Sequence, residues 1–251
     1  MTSSDLWDED AAEGYDTNAA EMFAPEVLDP AVDFLTHLAG HGPVLEFAVG
    51  TGRVAIPLAS RGIPVTGVEL SIPMVNRLRQ KASAEQLPVV VGDMATTVIQ
   101  DRFSLVYLVW NGISNLRTQD EQVECFRNAA RHLAAGGRFV VELWVPDIRR
   151  FPPGQSAVPF EVSDRHVGFD TYDMVTQQGI SHHYWPLGDG TARHAVSRFR
   201  YIWPSECDLM ARLAGLTLEQ RVADWTGAPF TSDSDSHISV WRKPPDDLDN
   251  I

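Results

Sequence analysis

Basic residues and cysteines are scarce in this sequence of 251 residues. Lysine and arginine together number 20, against 34 aspartates and glutamates, so the formal net charge is −14. A chain with this charge repels phosphate backbones, which argues against a general nucleic-acid-binding function. The two cysteines, Cys125 and Cys207, are too few for a disulfide framework and do not form a CxxC metal-binding motif.

Long apolar runs are also missing. No segment approaches the roughly 18 apolar residues that a membrane-spanning helix requires, and the N-terminal residues are polar and acidic, unlike a signal peptide. The hydrophobic fraction of 44% is typical of a globular protein with a real core. We therefore expect a cytoplasmic protein that binds neither nucleic acid nor a membrane.

Strand and helix patterns alternate over residues 30–145. Helix starts are predicted at Asp29-Pro30, at Ser71 and at the capping box of Thr118 and Glu121, whose helix should reach Gly136. Short apolar segments predict five strands, the third of them buried, at residues 44–48, 64–70, 89–91, 103–109 and 139–143. This alternation is typical of an α/β protein with a doubly wound, mostly parallel sheet.

The pattern changes after the fifth strand. Residues 155–203 show alternating stretches and a Gly188-Asp189-Gly190 turn signal, which predict a small inserted antiparallel sheet. A helix at 204–214 and a strand at 237–241 follow. We expect three parts: a core with a loose N-terminal arm (1–150), an inserted lid (151–203), and a return to the core sheet with an acidic tail (204–251).

A glycine turn follows the first strand. Residues 50–55, Gly-Thr-Gly-Arg-Val-Ala, fit the G-x-G-x-x-[GA] nucleotide-binding pattern, and Glu69 lies near the spacing of a ribose-binding acid. Plain turn chemistry is the alternative for such glycines. Glu46, inside the first strand, would repel a pyrophosphate but attract a cationic ligand. Asp93 and Met94 end the third strand, where they could hold the edge and face of an adenine.

These residues resemble the class I S-adenosylmethionine-dependent methyltransferases of the small-molecule and natural-product type. The matching segments are residues 46–52, Glu69, Asp93-Met94 and the entry into the fifth strand at 133–139. Ala48 departs from the pattern, because the fullest version of the motif has glycine there. The resemblance implies a Rossmann-like sheet of seven strands, with S-adenosyl-L-methionine as cofactor and S-adenosyl-L-homocysteine as product.

The resemblance also implies roles around the cofactor. Glu46 would anchor the methionine ammonium, the two glycines would pass beneath the cofactor, Glu69 would hold the ribose, and Asp93 would receive the adenine amine. The complete set of expected cofactor-binding residues is Tyr15, Glu46, Gly50, Gly52, Glu69, Leu70, Met74, Asp93, Met94 and Asn111.

Methyl transfer needs no protein nucleophile or metal, and a base is needed only where the acceptor must lose a proton. His182 and His183 are the candidate bases, and strand alternation lets at most one of them face the cleft. Asn115, Trp185 and Tyr201 are the candidate substrate residues. Alternatively, the two histidines are ordinary surface residues, and the aromatic residues form the core of a small subdomain.

The acceptor is expected to be a small molecule methylated on nitrogen or oxygen. The segment after the fourth strand lacks the Asn/Asp-Pro-Pro-aromatic tetrad of adenine-N6 enzymes and the aspartates of a catechol site. An NAD-dependent oxidoreductase and a non-catalytic nucleotide-binding protein are the alternative functions. The inserted sheet could instead form a homodimer interface.

Overall fold

A computed structural model describes residues 2–4 and 7–245, with only the backbone of residue 149. The predicted acidic tail at the C-terminal end lies outside these ranges beyond residue 245. No helix within them is long and apolar enough to cross a membrane. The α-helices are α1 (Glu9–Asn18), α2 (Pro25–Ala39), α3 (Ala55–Ser60), α4 (Ile72–Arg79), α5 (Gln119–His132) and α6 (Pro204–Leu213).

The strands form two sheets. The larger sheet contains β1 (Val44–Phe47), β2 (Val65–Glu69), β3 (Val89–Val91), β4 (Phe103–Leu108), β5 (Leu133–Trp144), β10 (Thr217–Val222) and β11 (Ser236–Arg242). The smaller sheet contains β6 (Ala157–Val162), β7 (Val167–Asp173), β8 (Gln178–Pro186) and β9 (Ala192–Arg200). We call residues 151–203, which contain this smaller sheet, the lid.

The order of the large sheet is β10-β11-β5-β4-β1-β2-β3. Strand β11 runs antiparallel to both of its neighbours, and the remaining pairs are parallel. The lid is antiparallel throughout, in the order β6-β7-β8-β9. The predicted doubly wound, seven-stranded sheet with an antiparallel sheet inserted after its fifth strand is therefore confirmed.

The large sheet is buried on both faces. Neighbouring residues of a strand point to opposite faces, so each strand contributes side chains to both sides of the core. Val106 and Phe139 belong to the apolar cluster that includes Phe126 of α5. Leu105 and Val140, one position away in each strand, belong to the cluster under α2. All five side chains are completely buried, which stabilises the fold by about 1.5–3 kcal/mol for each large side chain.

Two helix boundaries differ from the prediction. Helix α2 begins at Pro25, not at Asp29-Pro30, so Pro30 lies inside the helix. Its N-cap residue, Ala24, makes no side-chain capping hydrogen bond, so the capping pattern gave no signal there. Helix α5 ends at His132 rather than near residue 136.

Strand β5 starts earlier than the sequence pattern suggested. Its first part forms hydrogen bonds with a segment that is distant in the sequence, because the Gly136 amide donates a 3.1 Å hydrogen bond to the carbonyl of Lys243. Strand β3, predicted to be buried, is the edge strand of the sheet, and Val91 is 52% exposed. In both cases tertiary context decides the outcome.

Helix α1 begins at Glu9, within the stretch of about ten residues that was predicted to be a loose arm. The Asp8 carboxylate caps α1 by accepting a 2.9 Å hydrogen bond from the Ala11 amide. Asp16 accepts 2.6 Å and 2.7 Å hydrogen bonds from the Thr51 hydroxyl and the Lys81 ammonium. These contacts hold α1 against the glycine turn and α4, at the carboxyl edge of the sheet.

Candidate active site

A cavity of about 810 Å³ lies at the carboxyl edge of the parallel strands. This volume falls within the range of about 300–1,000 Å³ that is usual for small-molecule sites. Its walls are the segments that follow β1 to β5, the N-terminal segment with α1, and the inner face of the lid. Ligands of open α/β sheets bind at this edge, where neighbouring loops diverge.

Glu46 lies at the bottom of the cavity with its carboxyl group almost completely buried. Its partner on the adjacent strand is Tyr107, whose phenol donates a 2.6 Å hydrogen bond to Oε2. Burial raises the pKa of Glu46 to about 8, against the opposing effects of Tyr107 and of the nearby Arg53 guanidinium. A cation brought next to this carboxyl group would favour its ionised form.

The two glycines of the turn have different roles. Gly50 has φ +56°, and a Cβ built on it would meet only the Ala48 carbonyl at 3.9 Å, so the space beside it belongs to the cavity. Gly52 is not among the residues that line the cavity, and its predicted contact with the cofactor stays a prediction. Its φ is +84°, and a Cβ there would lie 2.8 Å from Ile56 and 3.2 Å from Leu78.

Ala48, the departure from the family pattern, adopts the conformation that glycine prefers. Its φ of +52° lies in the left-handed region, which costs a non-glycine residue roughly 1–2 kcal/mol. Ala48 lines the cavity. Strain of this kind concentrates at functional sites, where the surrounding structure holds it in place.

Glu69 ends β2 and joins the glycine turn to the start of α4. Its Oε2 accepts a 2.8 Å hydrogen bond from the Gly50 amide, and its Oε1 accepts one of 2.8 Å from the Ser71 amide. Burial raises the pKa of Glu69, while the backbone hydrogen bonds lower it. Each carboxylate oxygen can accept a second hydrogen bond, so the fixed carboxylate can also receive two vicinal hydroxyls.

The residues that were expected to contact the adenine lie in the wall of the same cavity. Leu70, Met74, Asp93 and Met94 all line the cavity. The Asp93 carboxylate is oriented by a 2.7 Å hydrogen bond from the Ala95 amide to Oδ1. Two thioethers and a fixed acceptor therefore face the same space.

Tyr15 of α1 lines the cavity and contacts the ring of Trp7 edge-on, with the centroids 5.4 Å apart. Arg53, which sequence reasoning did not single out, lines the same region. Its guanidinium lies 5.7 Å from the centroid of the Trp110 ring. Its position inside the glycine motif was the available signal, since a cation there can hold a ligand carboxylate.

The loop after β4 is strained and anchored by a residue that the sequence did not reveal. Trp110 and Asn111 have φ +53° and +57°. Glu142 of β5 accepts a 2.7 Å hydrogen bond from the Trp110 amide and one of 2.8 Å from the Trp225 indole. Asn111 Oδ1 accepts a 2.7 Å hydrogen bond from the Trp144 amide. Asn111 and, further along this loop, Asn115 both line the cavity.

The lid brings His183 and Tyr201 into the cavity wall, together with Asp170 and Tyr172, which were not predicted as site residues. Asp170 accepts a 2.6 Å hydrogen bond from the Ser181 hydroxyl, and burial raises its pKa. The alternation of residues 169–172 was the signal that could have identified Asp170 and Tyr172. Among the described residues, no group of three or more His, Cys, Asp or Glu side chains could hold a metal ion.

Two predicted acceptor-side residues lie outside the cavity wall. His182 points to the other face of the lid, where its ring lies 4.7 Å from that of Phe169. Trp185 shares the face of His183, but it stands further along β8, where the Arg193 guanidinium covers its ring at 4.2 Å. Strand alternation explains His182, whereas the distance along β8 explains Trp185.

Comparisons with known proteins agree on one activity. Residues 44–137 match a family model described as a methyltransferase domain. The cypemycin N-terminal methyltransferase of a Streptomyces species is 27% identical over 97% of this chain and all of that protein. The CcbJ methyltransferase of Streptomyces caelestis is 37% identical and superposes with a TM-score of 0.83, covering 97% of this chain and 98% of that one.

A third similarity concerns the fold. The amino pentose methyltransferase CalS10 of Micromonospora echinaspora, solved with S-adenosylmethionine bound, is 22% identical, with a TM-score of 0.70. The match covers 90% of this chain and 96% of that one. The two chains therefore share the same overall fold.

Proposed function

This chain belongs to the class I S-adenosylmethionine-dependent methyltransferases, and from that membership we propose that it methylates nitrogen or oxygen of a small molecule. The supporting observation is the continuity of the cavity. The same space is lined by Glu46, Glu69 and Asp93 at the sheet edge and by His183 and Tyr201 of the lid. A donor and an acceptor held on these two sides would meet inside one cavity, where positioning can supply much of the rate acceleration.

The residues of the sheet edge fit the proposed cofactor. S-adenosylmethionine supplies an electrophilic methyl group on a sulfonium and leaves as a neutral thioether. In our proposal Glu46 holds its ammonium, Arg53 and Tyr15 hold its carboxylate, and Glu69 accepts hydrogen bonds from the ribose. The open space beside Gly50 is where a side chain would collide with this ligand.

The adenine completes the proposed assignment of the cofactor side. Asp93 accepts from its exocyclic amine, while Leu70, Met74 and Met94 contact the ring faces. Asn111 fixes the loop over this region through its hydrogen bond with the Trp144 amide.

On the lid side we propose His183 as the base that removes a proton from the acceptor. Imidazole is the side chain whose protonation changes near neutral pH. Burial and the neighbouring His166 lower the pKa of His183, which keeps it unprotonated at neutral pH. Asn115, Tyr172 and Tyr201 would enclose the acceptor, since all three line the cavity.

The small-molecule part of the proposal is supported by the relatives. One is described as acting on the N-terminus of cypemycin and another as acting on an amino pentose. All three named relatives are methyltransferases, which argues against the oxidoreductase alternative. The net charge of −14 disfavours a nucleic-acid acceptor and agrees with a cytoplasmic small-molecule enzyme.

We further propose that residues 1–150 form the cofactor-binding core with its N-terminal arm, residues 151–203 the lid, and residues 204–251 the return to the core sheet with the acidic tail. Homodimer formation is the alternative use of the lid. The lid exposes Val162 and Val175, which could meet a second copy of the chain. Measuring the molecular mass in solution separates the two uses.

A screen of candidate acceptors with a methyl-labelled donor tests the proposed function. We expect label transfer to an amine or hydroxyl of at least one small molecule, and loss of transfer in His183→Ala with cofactor binding unchanged. S-adenosylhomocysteine should raise the melting temperature, while NADH should not. Stabilisation by S-adenosylhomocysteine without transfer to any acceptor would favour the non-catalytic alternative.

A further inference from the structure

Three side chains form a hydrogen-bonded chain from the cavity to the outer surface of the lid. His183 Nδ1 lies 3.0 Å from His166 Nε2, and His166 Nδ1 lies 2.7 Å from Glu161 Oε2. His183 lines the cavity, whereas the His166 side chain is 15% exposed and that of Glu161 is 50% exposed. The chain therefore connects the interior of the site with solvent.

The lid is shaped to hold the two imidazoles in line. Their ring planes differ by 11° and their centroids lie 5.2 Å apart, so the nitrogen–nitrogen contact lies close to both planes. Gly168 pairs with His183 across β7 and β8. A Cβ on Gly168 would lie 3.1 Å from His166 Cε1 and would also collide with the ring of Phe160. Glycine at this position therefore leaves room for the hydrogen-bonded side chains.

The carboxylate at the outer end determines where the protons lie. The hydrogen bond from His166 lowers the pKa of Glu161, so its carboxylate accepts from His166 Nδ1–H. Neutral imidazole has one N–H, which leaves His166 Nε2 as an acceptor. His183 must then donate through Nδ1–H, and its lone pair is on Nε2.

We propose that Glu161 and His166 are positioning residues that hold His183 with an unprotonated Nε2 for the acceptor and give its proton an exit to solvent. The inference rests on the proposed function and applies to an acceptor whose attacking atom carries a proton. That proton binds His183 Nε2, and His183 Nδ1–H passes to His166 Nε2. His166 Nδ1–H then passes to Glu161, which releases a proton to water.

Several charged groups surround the hydrogen-bonded chain of side chains that contains His183. Asp170 and Glu161 favour the protonated form of His183, whereas burial, His166 and His182 oppose it. Removing the Glu161 charge should therefore lower the pH at which His183 becomes protonated. A purely structural role of Glu161 would leave that midpoint in place.

Nitrogen NMR of the ¹⁵N-histidine-labelled full chain reports the tautomer directly and needs no acceptor. We expect His183, assigned with His183→Gln, to carry its proton on Nδ1 above its pKa, although free histidine prefers Nε2. In His166→Phe, which keeps a ring beside Trp185, the proton should return to Nε2. His194→Phe is the matched control, because His194 packs on Tyr184 at 4.4 Å, on the opposite face of the lid.

A wild-type His183 with its proton on Nε2 would overturn the proposal, as would an unchanged tautomer in His166→Phe. Glu161→Ala alters an exposed strand residue and is the second variant. We expect a lower midpoint for His183 in this variant, and an unchanged midpoint would contradict the role of Glu161. Failure to find any methyl acceptor would contradict the proposed function, but it would leave these tautomer results standing.

Discussion

The phenol of Tyr107 donates a 2.6 Å hydrogen bond to the carboxyl group of Glu46, and both side chains are buried beneath the cavity. Burial raises the pKa of both groups, that of Glu46 to about 8. The ligand-free protein at neutral pH therefore holds Glu46 mainly in its protonated form. Tyr107 remains available as a donor to the carboxylate once a cation makes ionisation favourable.

This arrangement predicts that cofactor binding releases a proton. A methionine ammonium beside Glu46 favours the carboxylate, so below pH 8 the site must lose a proton when the ligand binds. Affinity for S-adenosylhomocysteine should rise as pH increases from 6.5 to 8, by at most about tenfold per pH unit. Calorimetric titration at pH 7 in two buffers of different ionisation enthalpy measures the released proton.

Glu46→Gln should abolish this proton release, because an amide does not titrate. Half-buried Glu124, which pairs with Arg127 on α5 and lies outside the cavity wall, provides the control Glu124→Gln, in which release should persist. Equal apparent enthalpies in both buffers for the wild-type protein would rule out a protonated Glu46 in the free site.

Glu69→Ala should weaken binding of S-adenosylhomocysteine by about 2–3 kcal/mol, as expected when hydroxyls lose a charged acceptor. The same substitution removes the acceptor of the Gly50 and Ser71 amides, so the melting temperature should also fall. Calorimetry and thermal unfolding separate the two effects. Glu69→Gln, which keeps one carbonyl oxygen, should lie between wild type and Glu69→Ala, and unchanged affinity in a folded Glu69→Ala protein would refute the ribose assignment.

Local sequence patterns predicted the elements that depend on neighbouring residues. The capping box of Thr118 and Glu121 starts α5 as predicted, and Ser71 caps α4 by accepting a hydrogen bond from the Met74 amide. The acids at the ends of β1 and β2 and after β3 were identifiable because each occupies a fixed position relative to a strand end. All of them line one cavity.

Contacts between distant parts of the chain could not be predicted in this way. Glu142 orients a loop more than thirty residues away, and nothing in its own segment signals that contact. The roles that we propose for Glu161 and His166 depend on the register in which β6, β7 and β8 pair, which brings these side chains together. Gly52 fits the nucleotide-binding pattern, yet its close contacts are with α3 and α4.

Asp93→Asn should weaken cofactor binding modestly, because the carboxylate accepts a hydrogen bond where an amide has to rotate. The Ala95 amide already donates a hydrogen bond to Asp93 Oδ1. The substitution therefore weakens only the hydrogen bond that the other carboxylate oxygen accepts at the adenine edge. If Asp93 accepts a hydrogen bond from the exocyclic amine, analogues of S-adenosylhomocysteine that lack this amine should bind the wild-type protein more weakly than S-adenosylhomocysteine does. That disadvantage should disappear in Asp93→Asn, and its persistence would show that Asp93 does not contact the amine.

The last prediction separates the two glycines of the turn. Both have positive φ, so an alanine at either position should cost roughly 1 kcal/mol or more of backbone strain. At Gly52 the new methyl group also meets Ile56 and Leu78, which adds an overpacking cost of about 1–3 kcal/mol. At Gly50 it enters the cavity, where it should obstruct the cofactor.

Gly52→Ala should therefore unfold at a distinctly lower temperature than Gly50→Ala, while its folded fraction binds S-adenosylhomocysteine almost normally. Gly50→Ala should show the reverse, with a smaller loss of stability and a Kd raised at least tenfold. Each variant is the control for the other, because both substitute one methyl group in the same turn. Thermal unfolding and calorimetric titration of the pair decide the matter. Weakened binding confined to Gly52→Ala would mean that Gly52, not Gly50, contacts the cofactor.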